Sequence, residues 1–188
     1  MVMQQKNIMM YDRSVFHLIS DIFKEKDVSC ILIGGFAVNH YRVTRQTLDI
    51  DFLITEEDFE KIFGLLAKEG YRKEFSHANF AHCKSGQIQF MDIDFMFVDK
   101  ETLAKIKKES ESLEIVDQRF RVPSLYHLIA LKLHSIKNNP KLRLFKDMPD
   151  IIQLVRINKV PVTEKKFKDI CLKYGTSDLY EKILEAAK

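Results

Sequence analysis

Ile33-Gly34-Gly35-Phe36-Ala37, followed by Arg45-Gln46-Thr47-Leu48-Asp49-Ile50-Asp51-Phe52-Leu53-Ile54, is the stretch on which the fold turns. Val28 to Ile33 is a short apolar run with β-branched residues that ends at two glycines, the pattern of a buried strand. Leu48 to Ile54 is a second strand, in which Asp49 and Asp51 alternate with Leu48, Ile50 and Phe52. Side chains two apart on a strand share a face, so both carboxylates point the same way. Like charges side by side repel, and a bound cation is their natural partner. Magnesium, or manganese in its place, suits such a pair: a hard cation that takes one or two carboxylates together with substrate phosphates. The glycines supply the other half. Glycine lets the backbone approach a ligand closely and adopt positive φ. Phe36 to Tyr41 reads as a short helix opening off them, whose free N–H groups would face an anion. A phosphate bound at Gly34 and Gly35 would sit near the metal, and Arg45 and Thr47, just before the strand, are within reach of a triphosphate. Each piece alone is compatible with a plain turn or a solvated strand face. Their order and spacing, with thirteen residues between Gly35 and Asp49, are what point to a site.

Working outward toward the N-terminus, residues 11–26 carry Val15, Phe16, Leu18, Ile19, Ile22 and Phe23 at helical spacing. Toward the C-terminus, Thr55 reads as an N-cap with Glu56, Glu57 and Asp58 in the first turn, where the helix dipole favours negative charge. Phe59, Ile62, Phe63 and Leu66 form that helix's apolar face, and Gly70 stops it. Tyr71 to Phe75 and Asn79 to Cys83 read as strands, with a turn at Lys84-Ser85-Gly86. Gln87 to Val98 is the longest strand candidate. It carries two acids on one face, Asp92 and Asp94, in an otherwise apolar run, and buried charges need partners. Asp94, which leads Phe95-Met96-Phe97-Val98, is the expected third site carboxylate, with Asp92 as the alternative.

Beyond residue 98 the pattern is mostly helical. Short helical spacing at Leu103 to Lys108 is followed by a helix opening at Pro123-Ser124 with Leu125, Leu128, Ile129, Leu133 and Ile136. Further helices are expected over about 147–156, from Thr163 to Gly175, and over 178–187. The chain therefore reads as an α+β fold: a core of residues 1–120 with a mixed sheet and flanking helices, and a helical part over 121–188.

Composition narrows the function class. At 188 residues with 46% apolar content, the chain can bury a real core, and its net charge is only +3, which is not the clustered basicity of a dedicated nucleic-acid coat. Cys30, Cys83 and Cys171 are odd in number, far apart and without a C-x-x-C pair, so they read as inert thiols of a reducing compartment. Met1 to Met10 lacks a basic region followed by a long apolar run, and no apolar stretch reaches the roughly 18 residues of a membrane span. The expectation is a cytoplasmic protein. His77 and His82 flank the expected hairpin without metal spacing to Cys83; His134 reads as a packed or surface residue. Lysine groups at 105–108 and 165–168 read as solvated helix faces.

The two segments quoted first are similar to the polymerase-β-like nucleotidyltransferase superfamily, and more particularly to its small bacterial members: AbiEii-type toxins and the minimal and antibiotic-modifying nucleotidyltransferases. Those share Gly-Gly or Gly-Ser, a D-x-D strand and a later strand with a single acid. Val122-Pro123-Ser124-Leu125 to Leu131-Lys132-Leu133, then Arg143 to Lys146-Asp147-Met148-Pro149-Asp150-Ile151, resembles the helical part of the same group, so the likeness spans about residues 28–155. A departure is His40-Tyr41, where small members often have His-Gly. The resemblance implies that Asp49 and Asp51 bind magnesium bridging the phosphates of a nucleoside triphosphate such as ATP. Asp94 would complete a second metal position and accept the proton of a hydroxyl that attacks the α-phosphorus, with pyrophosphate leaving. Lys132 would point toward the nucleotide. Arg143 and Lys146, with Asp147 and Asp150, would either fix two helices as an ion-pair cluster or form a phosphate-side patch. The acceptor is open: a small molecule, an RNA end or a protein side chain. The rival reading is a non-catalytic nucleotide- or partner-binding module of a toxin–antitoxin pair, with an antitoxin-like protein partner. A metal-dependent nuclease is a third, against which the Gly-Gly element argues.

Overall fold

The computed structural model describes residues 13–187. The chain runs α1 (Val15–Glu25), β1 (Ile31–Leu32), α2 (Gly34–His40), β2 (Asp49–Ile54), α3 (Glu56–Lys68), β3 (Tyr71–His77), β4 (Phe80–Ser85), β5 (Asp92–Phe97), α4 (Lys100–Lys108), β6 (Glu111–Ile115), β7 (Gln118–Val122), α5 (Leu125–Asn138), α6 (Pro140–Ile157), α7 (Lys165–Tyr174) and α8 (Ser177–Ala186). The first two residues expected in α1 lie outside the described part.

Five strands form one mixed sheet in the order β1-β2-β5-β4-β3. Only β2 and β5 are parallel; the other neighbours are antiparallel. The sheet's alternation sets its two faces. Ile50, Phe52, Ile93, Phe95, Ala81 and Cys83 point into the main core, fully buried, against the apolar stripes of α1 and α3. Thr55 accepts the Asp58 N–H and so caps α3, as its sequence position indicates. On the opposite face Ile31, Ile33 and Leu53 pack under Leu103 and Ile106 of α4, with Met96 and Leu131 alongside. That second cluster covers one end of the face and leaves the end bearing Asp49, Asp51 and Asp94 open. Main-core residues come from α5 to α8 as well, so the helical part shares one core with the sheet across residue 120.

Three elements depart from the sequence reading. The segment after α4, where the sequence reading places no element, is a hairpin, β6–β7; its two-residue turn has Val116 and Asp117 both at positive φ, 48° and 57°. A turn of that hand usually advertises itself with Asn-Gly or Asp-Gly, and here it does not. The hairpin anchors the end of α2: the Tyr41 hydroxyl lies 2.9 Å from Glu111 and 2.8 Å from the Pro123 carbonyl, and His40 Nε2 lies 2.9 Å from Glu111. The long strand expected over 87–98 shortens to β5, because Gln87 turns away to donate from its amide to the Glu69 carbonyl and the Phe90 N–H closes a turn on Gln87. The helix expected from 147 begins at Pro140, where a missing N–H costs nothing, and continues past Pro149. All three cysteines are free, and burial pushes the Cys83 and Cys171 thiols up to about 12.

Candidate active site

The glycine pair is fixed by close approach of α2 to β2. Gly34 has φ +63°, and a Cβ there would fall 1.8 Å from Asp51 Oδ2. A Cβ on Gly35 would fall 2.6 Å from the Thr47 side chain. Any larger residue at Gly34 would therefore be strained in its backbone and would displace the carboxylate. The Thr47 hydroxyl in turn lies 3.1 Å from Asp49 Oδ1 and 3.1 Å from the Asp49 carbonyl, and braces that side chain.

The parallel register of β2 with β5 pairs Asp49 with Asp92 and Asp51 with Asp94. Asp49, Asp51 and Asp94 each offer an oxygen within 4.8 Å of the others. Burial, then Asp49, then Asp94 raise the Asp51 carboxyl to about 6. Burial also raises Asp94, opposed by its hydrogen bond to His82. Asp92 is turned elsewhere: its Oδ1 accepts the Ser85 N–H at 2.8 Å, which ties β5 to the end of β4. His82 is the neighbour that spacing did not reveal. Cross-strand pairing sets it opposite Asp94, and its Nδ1 lies 2.6 Å from Asp94 Oδ1. Only the strand register, which no local motif encodes, brings these two together.

The opposite wall of the cleft comes from α5, α6 and the loop before β2. Gly34 and Asp51 on the sheet side and Arg45, Lys132, Arg143 and Lys146 on this wall line the cleft together. Lys132 is buried, and its ammonium donates to Asp147 at 2.9 Å and to Asp150 at 2.6 Å. Arg45 pairs with the same Asp150 oxygen. Arg143 Nε stands 3.6 Å from Asp147 Oδ2, a buried oxygen with no hydrogen-bond partner. Lys146 is exposed, and its charge acts to lower both Asp51 and Asp94. Of the candidate phosphate-side residues, Lys132 and Arg45 are thus committed to carboxylates, whereas Arg143 and Lys146 are the freer cations.

The model of a family described as "uncharacterised nucleotidyltransferase" matches residues 3–188. The chain belongs to that nucleotidyltransferase family. Among curated proteins, no sequence matches it. Solved structures share the nucleotidyltransferase fold. The solution structure of the antibiotic-resistance factor ANT(2'')-Ia aligns with TM-score 0.55 and 16% identity over 90% of this chain and 87% of that one. The lincomycin-bound lincosamide antibiotic adenylyltransferase LnuA aligns with TM-score 0.52 and 16% identity, covering 74% of this chain and 93% of that one. An antigenic nucleotidyltransferase-like protein from Paracoccidioides brasiliensis gives 0.52 and 14%, covering 90% and 89%. The AbiEii-type likeness read from the sequence is not among these matches, and the superfamily is.

For this nucleotidyltransferase the donor set is all carboxylate oxygen, close enough to converge on one ion. A hard divalent cation fits it, and a soft or nitrogen-seeking metal does not. The raised Asp51 is the electrostatic sign of the same fit: three acids crowd where, among the described residues, no cation forms a salt bridge to Asp49 or Asp51. Among the described residues, no helix is long and apolar enough to cross a membrane.

Proposed function

We propose that this nucleotidyltransferase moves a nucleoside monophosphate from a nucleoside triphosphate to a hydroxyl acceptor, with magnesium or manganese at Asp49, Asp51 and Asp94. The observation that carries this reading is the convergence of those three carboxylates, within 4.8 Å, in a cleft whose facing wall carries cations. The bound ion would supply neutralisation of phosphate charge in the ground state and on the departing pyrophosphate. Asp49, braced by Thr47, and Asp51, packed on Gly34, hold fixed positions on a rigid strand, so the site needs little rearrangement to bind. Arg143 and Lys146 sit where the β- and γ-phosphates would extend from Gly34. Lys132 and Arg45 tie α5, α6 and the loop before β2 into one wall, and contribute field rather than free donors. Asp94 takes the acceptor's proton as the oxygen–phosphorus bond forms and the bond to pyrophosphate breaks; His82 holds its carboxylate in orientation. Residues 1–120 would supply the metal side, and residues 121–188 most of the phosphate side.

The test is to incubate the protein with magnesium, a cell extract and ATP labelled at either the α- or the γ-phosphorus, then repeat with the other nucleotides. Label transferred from the α position alone is the expected result. Label from the γ position would mean phosphoryl transfer, and tight nucleotide binding without any transfer would leave a binding module.

A further inference from the structure

One rung of the sheet crosses four strands. Asp51 on β2 pairs with Asp94 on β5, Asp94 with His82 on β4, and His82 with Phe75 on β3. Ala81 and Cys83 point into the core, so Phe80 and His82 point to the open face that the carboxylates share. On that face Phe75 stacks on His82, with ring centroids 5.1 Å apart and planes at 14°, and on Phe80, 5.7 Å apart at 28°. Phe75 remains 47% exposed. An exposed aromatic on an edge strand runs against the usual edge composition, which is charged. The shift in pairing between Lys73 and Phe75 brings Glu74 to the same side, with its carboxylate 3.5 Å from His82 Nε2. The result is a flat aromatic shelf that abuts Asp94 and is rimmed by Glu74 and Asp92.

Resting on the proposed transfer, we infer that this shelf seats the acceptor, and that the acceptor is a ring-bearing hydroxyl compound, neutral or cationic, without phosphate or carboxylate. Three features select that class. Arg143 and Lys146 stand on the far wall, where the triphosphate lies; on the shelf side Lys84 pairs with Glu74 at 3.5 Å, which leaves Asp94 and Asp92 as the charges beside the reacting hydroxyl. A polyanion such as an RNA end would have to run along Asp94 and Asp92 and meet like charge. A stacked aromatic surface favours the flat or C–H-rich face of a ring. From the shelf, the acceptor hydroxyl reaches the α-phosphorus beside Asp94, which takes its proton as the new O–P bond forms and pyrophosphate leaves.

The experiment offers α-labelled ATP and magnesium with four acceptors in separate reactions: an amino-sugar disaccharide, a neutral aryl glycoside, an oligoribonucleotide and a sugar phosphate. Magnesium-dependent ATP binding is measured alongside by calorimetry. The expected result is label in one or both glycosides and in neither anion. With the labelled glycoside, Phe75→Ala should raise the acceptor KM by about tenfold while the ATP KM stays unchanged, and Phe75→Tyr should restore it. Label in the oligoribonucleotide or sugar phosphate, no label in either glycoside while ATP binds, or an acceptor KM indifferent to Phe75→Ala would overturn the inference. Absence of magnesium-dependent ATP binding would instead remove the transfer reading on which it rests.

Discussion

The two walls of the cleft carry their charge differently. On the sheet side Asp49, Asp51 and Asp94 crowd together, with His82 as the one side chain among the described residues that hydrogen-bonds Asp94. On the helix side, Lys132 and Arg45 interleave with Asp147 and Asp150 in a network that is largely closed on itself. The sheet side is electrostatically incomplete; the helix side is mostly paired, with Asp147 Oδ2 the buried oxygen left without a hydrogen bond. An incomplete cluster on rigid strands is what a ligand ion finishes; a mostly paired network fixes helices. The same residue type can therefore be chemical on one wall and architectural on the other, and substitutions should separate the two.

The largest effects belong to the incomplete side. Asp49→Asn, Asp51→Asn or Asp94→Ala should each lower transfer by about 10³-fold or more while circular dichroism shows the fold intact. Next comes the closed network. Lys132→Met would leave Asp147 and Asp150 buried with fewer partners and should cost about 3–5 kcal/mol in denaturant unfolding, whereas Lys146→Ala should leave stability unchanged and raise the nucleotide KM. A stable, inactive Lys132→Met would turn the comparison around.

The pH dependence is smaller. In metal-free protein the Asp51 carboxyl sits at about 6, above its ordinary 3.8, so the folded state holds that proton more tightly than the unfolded chain. The stability it contributes is full below about pH 4 and lost as pH rises through 6, on the order of 3 kcal/mol. Magnesium affinity should move the opposite way and weaken as pH falls through 6. Asp51→Asn should flatten the stability profile, and thermal unfolding in chelator across pH 4–8 would show it. The smallest effect is Asp92→Ala: loss of the acceptor for the Ser85 N–H should cost about 1 kcal/mol, with transfer reduced only a few-fold. An inactive Asp92→Ala beside an active Asp94→Ala would shift the reactive rung by one pair.

What the sequence revealed follows the range of the interactions. Gly34-Gly35, the Asp49–Asp51 strand and the capped helix after Thr55 are local patterns, and each can be read without knowing what packs on it. The preference for Asp94 over Asp92 was readable only in outline; the structure separates them because Ser85 claims Asp92, a contact across a turn. His82, Glu74 and Phe75 were not legible as site residues, since their position depends on the pairing of three strands and on a register shift in one of them. The β6–β7 hairpin was missed because Val116-Asp117 gives no turn signal, although Leu113, Ile115, Phe120 and Val122 do alternate. Lys132 with Arg143, Lys146, Asp147 and Asp150 was legible as a charged cluster, but which of its members are paired with one another required the distances.

The central claim is that Asp49, Asp51 and Asp94 together hold a divalent cation beside a nucleotide. The most direct measurement is electron paramagnetic resonance of Mn2+ titrated into the protein with a non-hydrolysable ATP analogue. Wild-type protein should change the spectrum beyond that of the Mn2+–analogue complex alone, and Asp51→Asn should leave the spectrum of that complex unchanged. Mn2+ bound equally well by wild type, Asp51→Asn and Asp94→Ala would contradict the account.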